Sequence, residues 1–187
     1  VSDLPEFKYV IYSLYIHLPF CRQKCPYCNF ESVTGAEDLI ESYIEALISE
    51  LSYRSCSTFS GIPLTIYIGG GTPSLVPAGS IARVVKDFSS CSDIEFTVEA
   101  NPESISKNNT KHRHWLNDIR DAGANRISIG LQSLNDGILQ NLGRIHNSKE
   151  AISSINHARQ AGFMNVSVDL MYGVPGQTLE IWEQTLN

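Results

Sequence analysis

The chain has 187 residues, 42% hydrophobic and 18% charged, which suits one globular core and excludes a chain disordered throughout. Twenty acidic against 14 basic residues give a net charge of −6 with histidine neutral, and no Lys/Arg-rich run offers nucleic acid an electrostatic footprint. No apolar stretch approaches the length of a membrane span, and the start VSDLPEFKYVIY lacks the basic segment and apolar core of a signal peptide.

Along the chain, short β-branched runs alternate with longer stretches of mixed polarity. SLYIHL (13–18) reads as a first strand. EDLIESYIEALISEL (37–51) sets Leu39, Ile40, Tyr43, Ile44, Leu47, Ile48 and Leu51 on one stripe, the period of an amphipathic helix. LTIYIG (64–69) is a second strand and GSIARVVKDFSS (79–90) its helix. EFTVEA (95–100) precedes the helical WLNDIRDAG (115–123), and RISIGL (126–131) precedes KEAISSINHARQAG (149–162). Both of those helices close on a glycine stop. VSVDLM (166–171) is a fifth strand, leading into the helical TLEIWEQTLN. Five βα units of this kind predict an α/β fold with a parallel sheet. No linker divides residues 1–187, so they read as one domain, the N-terminal portion of a core whose C-terminal part lies beyond them.

Parallel βα folds carry their chemistry where strands end. The polar and glycine-rich segments all fall there: PFCRQKCPYC, GGGTPS, EANPES, QSLND and DLMYGVPGQT follow or end strands one to five in turn. Cys21, Cys25 and Cys28 put three of the five cysteines within eight positions. Three is odd for a disulfide framework and one short of a closed zinc site. His17 is near enough in sequence to be weighed as a fourth ligand, but it sits in the strand, and there is no second C-x2-C knuckle. Iron–sulfur ligation fits the three thiols best, with one iron left open. Cys56 and Cys91, in Ser-rich segments, read as incidental turn residues.

CRQKCPYC after a first strand and GGGTPS after a second resemble the radical S-adenosylmethionine (SAM) superfamily. SLYIHLPFCRQKCPYCNF, IYIGGGTPS, VEANPES, RISIGLQSLND, LGRIHN and VDLMYGVPGQT, in that order from Leu14 to Thr178, resemble its branch of HemW-like heme chaperones and HemN-like oxygen-independent coproporphyrinogen III oxidases. The resemblance implies a partial (β/α)6 barrel, of which about five βα units are present. It implies a [4Fe-4S] cluster on Cys21, Cys25 and Cys28, with SAM on the open iron. It also implies one-electron cleavage of SAM to methionine and a 5′-deoxyadenosyl radical.

By the same resemblance Gly70, Gly71 and Thr72 line the methionine part of SAM, where glycine lets a ligand approach the backbone. The plainer account is a tight strand-to-helix turn, and the segment lacks the Gly-Lys-[Ser/Thr] ending of a phosphate loop. Glu99, Gln132, Arg144 and Asp169 match polar SAM contacts of the branch. Singly, Glu99 and Arg144 would pass as rim charges, and Gln132 and Asp169 as turn or cap residues. Together they supply a carboxylate for an ammonium or ribose hydroxyl, a guanidinium for a carboxylate, and two groups for a diol. Tyr15 and Tyr27 match positions where an aromatic face meets the sulfonium or adenine, with a core role for Tyr15 weighed equally. His146 is given no catalytic role.

Oxidase-like members of the branch have a further cysteine two positions after the last ligand, and here that position is Phe30. CPYCNF and LGRIHN lean toward the HemW-like side, so a heme carrier is expected ahead of a coproporphyrinogen oxidase or another radical SAM enzyme. The implied partners are heme or a porphyrinogen, an electron donor such as flavodoxin or ferredoxin, and heme-accepting client proteins. Heme is an expected further ligand. Clustered cysteines favour the cytoplasm, or an organelle after loss of a transit segment, and peripheral membrane contact stays open.

Overall fold

The computed structural model describes residues 12–57, 63–88, 94–106 and 110–187; the side chains of Cys56, Ser57 and residues 110–113 are outside the description, as is Cys91. In chain order the elements are β1 (Ser13–Leu18), β2 (Phe20–Cys21), β3 (Val33–Thr34), α1 (Ile40–Ser57), β4 (Thr65–Gly70), α2 (Ala78–Val85), β5 (Glu95–Ala100), α3 (Pro102–Ile105), α4 (Thr110–Asp121), β6 (Arg126–Gln132), α5 (Asp136–Asn141), α6 (Ser148–Gln160), β7 (Asn165–Leu170) and α7 (Leu179–Leu186). β1, β4, β5, β6 and β7 lie side by side in that order, each parallel to the next. Five βα units in one parallel sheet are what the alternating pattern predicts.

Register sorts the side chains. Tyr15 pairs with Tyr67, Tyr67 with Thr97, Thr97 with Arg126 and Arg126 with Asn165. Because a strand alternates faces, one face carries Tyr15, His17, Tyr67, Glu99, Ser128 and Asp169. The other carries Ile16, Leu18, Ile66, Ile68, Phe96, Val98, Ile127 and Ile129, all in the buried core. The helices α1, α2, α4 and α6 cover that apolar face, each touching the next. Ile44, Ile81, Leu116, Ile119 and Ala151 supply their side of the core, and each fully buried isoleucine or leucine contributes about 1.5–3 kcal/mol. The polar face is left for a site.

Two details differ from the periodic pattern. Leu39 is 53% exposed, because residues 37–39 form a 3-10 turn ahead of α1 and the buried stripe starts at Ile40. α1 runs on to Ser57, so the backbone of Cys56 is helical and not in a turn. The short α3 and α5 have too few residues to show a period, and their starts are set locally. Pro102 opens α3, where its missing N–H costs nothing, and the Asn135 side chain accepts from Ile138 N at the start of α5. Asn147 and Glu150 form a reciprocal capping box on α6, worth about 1 kcal/mol. Among the described residues no helix is long and apolar enough to cross a membrane.

Candidate functional site

Cys21 ends β2, and Cys25 and Cys28 sit on the loop between β2 and β3, at the C-terminal end of the sheet. That loop is fastened at several points. β2 and β3 close its base, Cys28 N donates to the Cys25 carbonyl (3.0 Å), and Lys24 Nζ donates to the Phe30 carbonyl (2.7 Å). His17 Nε2 donates to the Glu31 carbonyl (2.8 Å), while its Nδ1 accepts from the Tyr15 hydroxyl (3.1 Å). Both nitrogens of His17 are thereby engaged in holding the loop. Cys21, Cys25 and Cys28 are free, half-buried thiols. Among the described residues no three Cys, His, Asp or Glu side chains close on a single-ion site. Thiolates on different irons of a cluster stand farther apart than thiolates sharing one zinc.

The glycine segment packs against this loop. Gly71 N donates to the Leu18 carbonyl (2.8 Å) and Thr72 N to the Phe20 carbonyl (2.7 Å). A Cβ on Gly71 would stand 2.7 Å from the Phe20 carbonyl oxygen, and one on Gly70, at φ 116°, would stand 2.6 Å from the His17 ring. Protein atoms already fill the space beside these glycines. Their small size serves packing of the loop, and their backbone still forms one wall of the cavity.

Arg144 reaches the cysteine loop from a sequence distance of 119 residues. α5 ends in a Schellman motif, with Gly143 N on the Gln140 carbonyl and Arg144 N on the Leu139 carbonyl. Gly143 adopts φ 67°, the left-handed conformation that motif requires. Its Cα faces the Pro26 ring, and its carbonyl accepts from Gln23 Nε2 at 2.9 Å. The guanidinium that follows is buried. Nη2 donates to Asn101 Oδ1 (2.9 Å) and the Gly130 carbonyl (3.2 Å), and Nη1 to Cys25 Sγ (3.7 Å). Nε has no hydrogen-bond partner among the described residues. Asn101 Nδ2 continues the chain to Thr72 Oγ1 (3.0 Å), and Thr72 Oγ1 donates to Cys21 Sγ (3.7 Å). One hydrogen-bond chain therefore joins Cys25, Arg144, Asn101, Thr72 and Cys21.

Electrostatics follow from this burial. Desolvation works against the Arg144 charge, yet the neighbouring Glu103 carboxylate and the Tyr27 and Cys25 groups raise its pKa above the ordinary value. Burial pushes the Tyr27 phenol up to about 12, so it is a hydrogen-bond donor near neutrality. Tyr67 is raised as well, by burial and by its hydrogen bond to Glu99 Oε1 (2.7 Å). The other Glu99 oxygen accepts from Gly70 N at 3.2 Å. Ser128 Oγ donates to Asp169 Oδ1 at 3.3 Å. A bulge between Ile129 and Gln132 interrupts the β6–β7 register, and Gln132 takes φ 67° there. Such a conformation costs a non-glycine residue roughly 1–3 kcal/mol.

Eleven of the twelve residues singled out from the sequence line one cavity of about 130 Å³: Cys21, Cys25, Cys28, Tyr27, Gly70, Gly71, Thr72, Glu99, Gln132, Arg144 and Asp169. Tyr15 does not; it is 57% exposed, stacks on Tyr67 and lines a separate groove beside α1. Asn101, Gln23 and Lys24 line the cavity too and were missed, although Asn101 stands in the EANPES segment that closes strand three. Phe30, where oxidase-like proteins have cysteine, also lines it and is 65% exposed. Three thiols, two carboxylates, a buried guanidinium with a spare N–H and a glycine wall form a donor set that fits an iron–sulfur cluster and a zwitterionic ligand.

A parallel βα sheet with a three-cysteine loop after its first strand defines a class, and the comparisons agree. The family model of the Radical SAM superfamily matches residues 15–187, and the chain belongs to that superfamily. Within it the chain is similar to HemW and HemN proteins. It is 45% identical over 177 residues to the heme chaperone HemW of Haemophilus influenzae, covering 90% of this chain and 45% of that protein. It is 38% identical over 182 residues to HemW of Bacillus subtilis, covering 94% and 46%. Its match to the mitochondrial radical S-adenosyl methionine domain-containing protein 1 of Danio rerio is 37% over 179 residues, covering 93% and 39%. Among solved structures, coproporphyrinogen III oxidase (HemN) of Escherichia coli superposes with a TM-score of 0.81 at 29% identity, over 94% of this chain and 40% of that one. The chain thus spans less than half the length of these relatives. Membership of the superfamily implies a [4Fe-4S] cluster and SAM as cofactors.

Proposed function

We propose that this chain is the cluster- and SAM-binding part of a HemW-like heme chaperone, a protein that takes up heme and passes it to client proteins. The observation that carries the proposal is the single cavity in which the three thiols and the polar candidates meet. In this reading Cys21, Cys25 and Cys28 hold the [4Fe-4S] cluster. Arg144 meets the SAM carboxylate, and Glu99, Gln132 and Asp169 meet its ammonium and ribose. Gly70, Gly71 and Thr72 flank the methionine portion, and Tyr27 offers its ring and phenol. Bound there, the two cofactors supply reductive cleavage of the sulfonium C–S bond. The chain's own work is placement: the Arg144–Asn101–Thr72 chain fixes two thiols and the guanidinium together, and the helix layer keeps the other face of the sheet dry. Tyr15 acts through His17 on the loop in this reading, and only indirectly on SAM.

Three things favour a carrier over an oxidase. The HemW proteins of Haemophilus influenzae and Bacillus subtilis are 45% and 38% identical, the HemN structure is 29% identical, and Phe30 replaces the additional cysteine. An external electron donor such as flavodoxin or ferredoxin, and heme-accepting clients, belong to the proposal. The test uses the full-length protein, reconstituted anaerobically. Heme titration followed at the Soret band should saturate, whereas coproporphyrinogen III with SAM and reductant should give no protoporphyrinogen. Turnover to protoporphyrinogen would make the protein an oxidase and the proposal wrong.

A further inference from the structure

Glu103 and His146 have no part in the function proposed above, yet both are buried directly behind it, at 8% and 3% exposure. Glu103 is the second residue of α3. Its Oε2 lies 3.7 Å from Arg144 Nη2 and 3.2 Å from His146 Nδ1. The other ring nitrogen, Nε2, lies 3.1 Å from the Leu131 carbonyl oxygen. A carbonyl only accepts, so Nε2 carries a proton. An ionised carboxylate oxygen also only accepts, so the Nδ1–Oε2 contact needs a second proton, on the ring or on the carboxyl. In both cases Arg144, Glu103 and His146 together hold one net positive charge. The three side chains are no more than 10% exposed.

The two ends of this set are two residues of the cavity. At one end Glu103 flanks the guanidinium that contacts Cys25. At the other, the Leu131 carbonyl opens a three-residue turn closed by Ser133 N at 2.8 Å. Gln132 is the centre of that turn and, among the described residues, the only one other than glycine at positive φ. A strained turn of this kind persists where its surroundings over-determine it. The His146 Nε2–H is the side-chain donor that grips it.

We propose that Glu103 and His146 are positioning residues that fix Arg144 and the Gln132 turn at the same time, so that one buried pair sets both contacts to SAM. The proposal rests on the reading that the cavity takes SAM. Its test uses the full-length protein with its cluster. Glu103→Gln keeps the side-chain shape and removes the carboxylate; His146→Gln removes the second ring N–H and serves if the first variant folds poorly. Measured by equilibrium dialysis, SAM should bind about tenfold more weakly to either variant at unchanged iron content, the size usual for outer partners of a binding group. Glu103→Gln should cost less SAM affinity in an Arg144→Ala background than in the wild-type protein, since the part of its effect that passes through that guanidinium is already gone.

Hydrogen–deuterium exchange on the same proteins separates positioning from general loosening. Peptides spanning 131–133 and 143–146 should exchange about tenfold faster in the variants while α1 is unchanged. Unchanged SAM affinity, additive losses in the double variant, or faster exchange everywhere would each overturn the proposal. If the wild-type protein binds no SAM, the cofactor reading fails, and local exchange at these peptides alone decides the positioning role.

Discussion

Gly143→Ala is the substitution that best probes how the cysteine loop is held. Two costs add at this position. Gly143 sits at φ 67°, where an L side chain loses about 1–2 kcal/mol. An added Cβ would also stand 2.8 Å from the Pro26 ring, inside the loop that carries Cys25 and Cys28. Overpacking of this kind costs about 1–3 kcal/mol unless a neighbour moves. Gly173→Ala is the matched control, since Gly173 has φ 71° and nothing within 4 Å of its Cβ position. Urea or thermal unfolding of both variants should therefore differ by about 1–3 kcal/mol, or roughly 3–9 °C for a chain of this size. If Pro26 yields instead, the strain passes to the loop, and Gly143→Ala should retain less iron after reconstitution than Gly173→Ala. Equal stability and equal iron in the two variants would refute the claim that the α5 cap supports the cysteine loop.

Two further results are expected. Anaerobic reconstitution with iron and sulfide should give about four irons per chain. Cys21→Ala, Cys25→Ala or Cys28→Ala should abolish the brown chromophore, and Cys56→Ala or Cys91→Ala should not; equal loss from Cys91→Ala would sink the three-ligand assignment. Burial alone would raise the Glu103 pKa, but the His146 hydrogen bond and the Arg144 charge outweigh it and leave the value below the ordinary 4.5. A carboxylate lowered in the folded state stabilises above its unfolded pKa, and that contribution is lost as pH falls through the folded value. Urea midpoints measured between about pH 3 and 6 should fall on the acid side for the wild-type chain, and this component should be absent from Glu103→Gln; parallel profiles would contradict it.

Much of this protein is legible in one dimension because its signals are local. Runs such as EFTVEA and RISIGL alternate faces at every residue, so strand and core face follow from period two, and five such runs alternating with helices point to a parallel sheet. The three cysteines share one loop, and the chain itself keeps them near each other. Tertiary structure decided what depends on contacts between distant segments. Arg144 touches Cys25 across 119 residues because a left-handed glycine ends α5 against Pro26, a contact that no spacing encodes. The glycines of GGGTPS look made for a ligand, yet the fold spends their missing side chains on His17 and the Phe20 backbone. Glu103 and His146 resemble ordinary polar residues in NPES and GRIHN, and only the fold shows that they are buried and hydrogen-bonded to each other, because polar groups shut away from water must find partners. Sequence supplied the ligand types and the rim they stand on; the folded sheet supplied the distances between them.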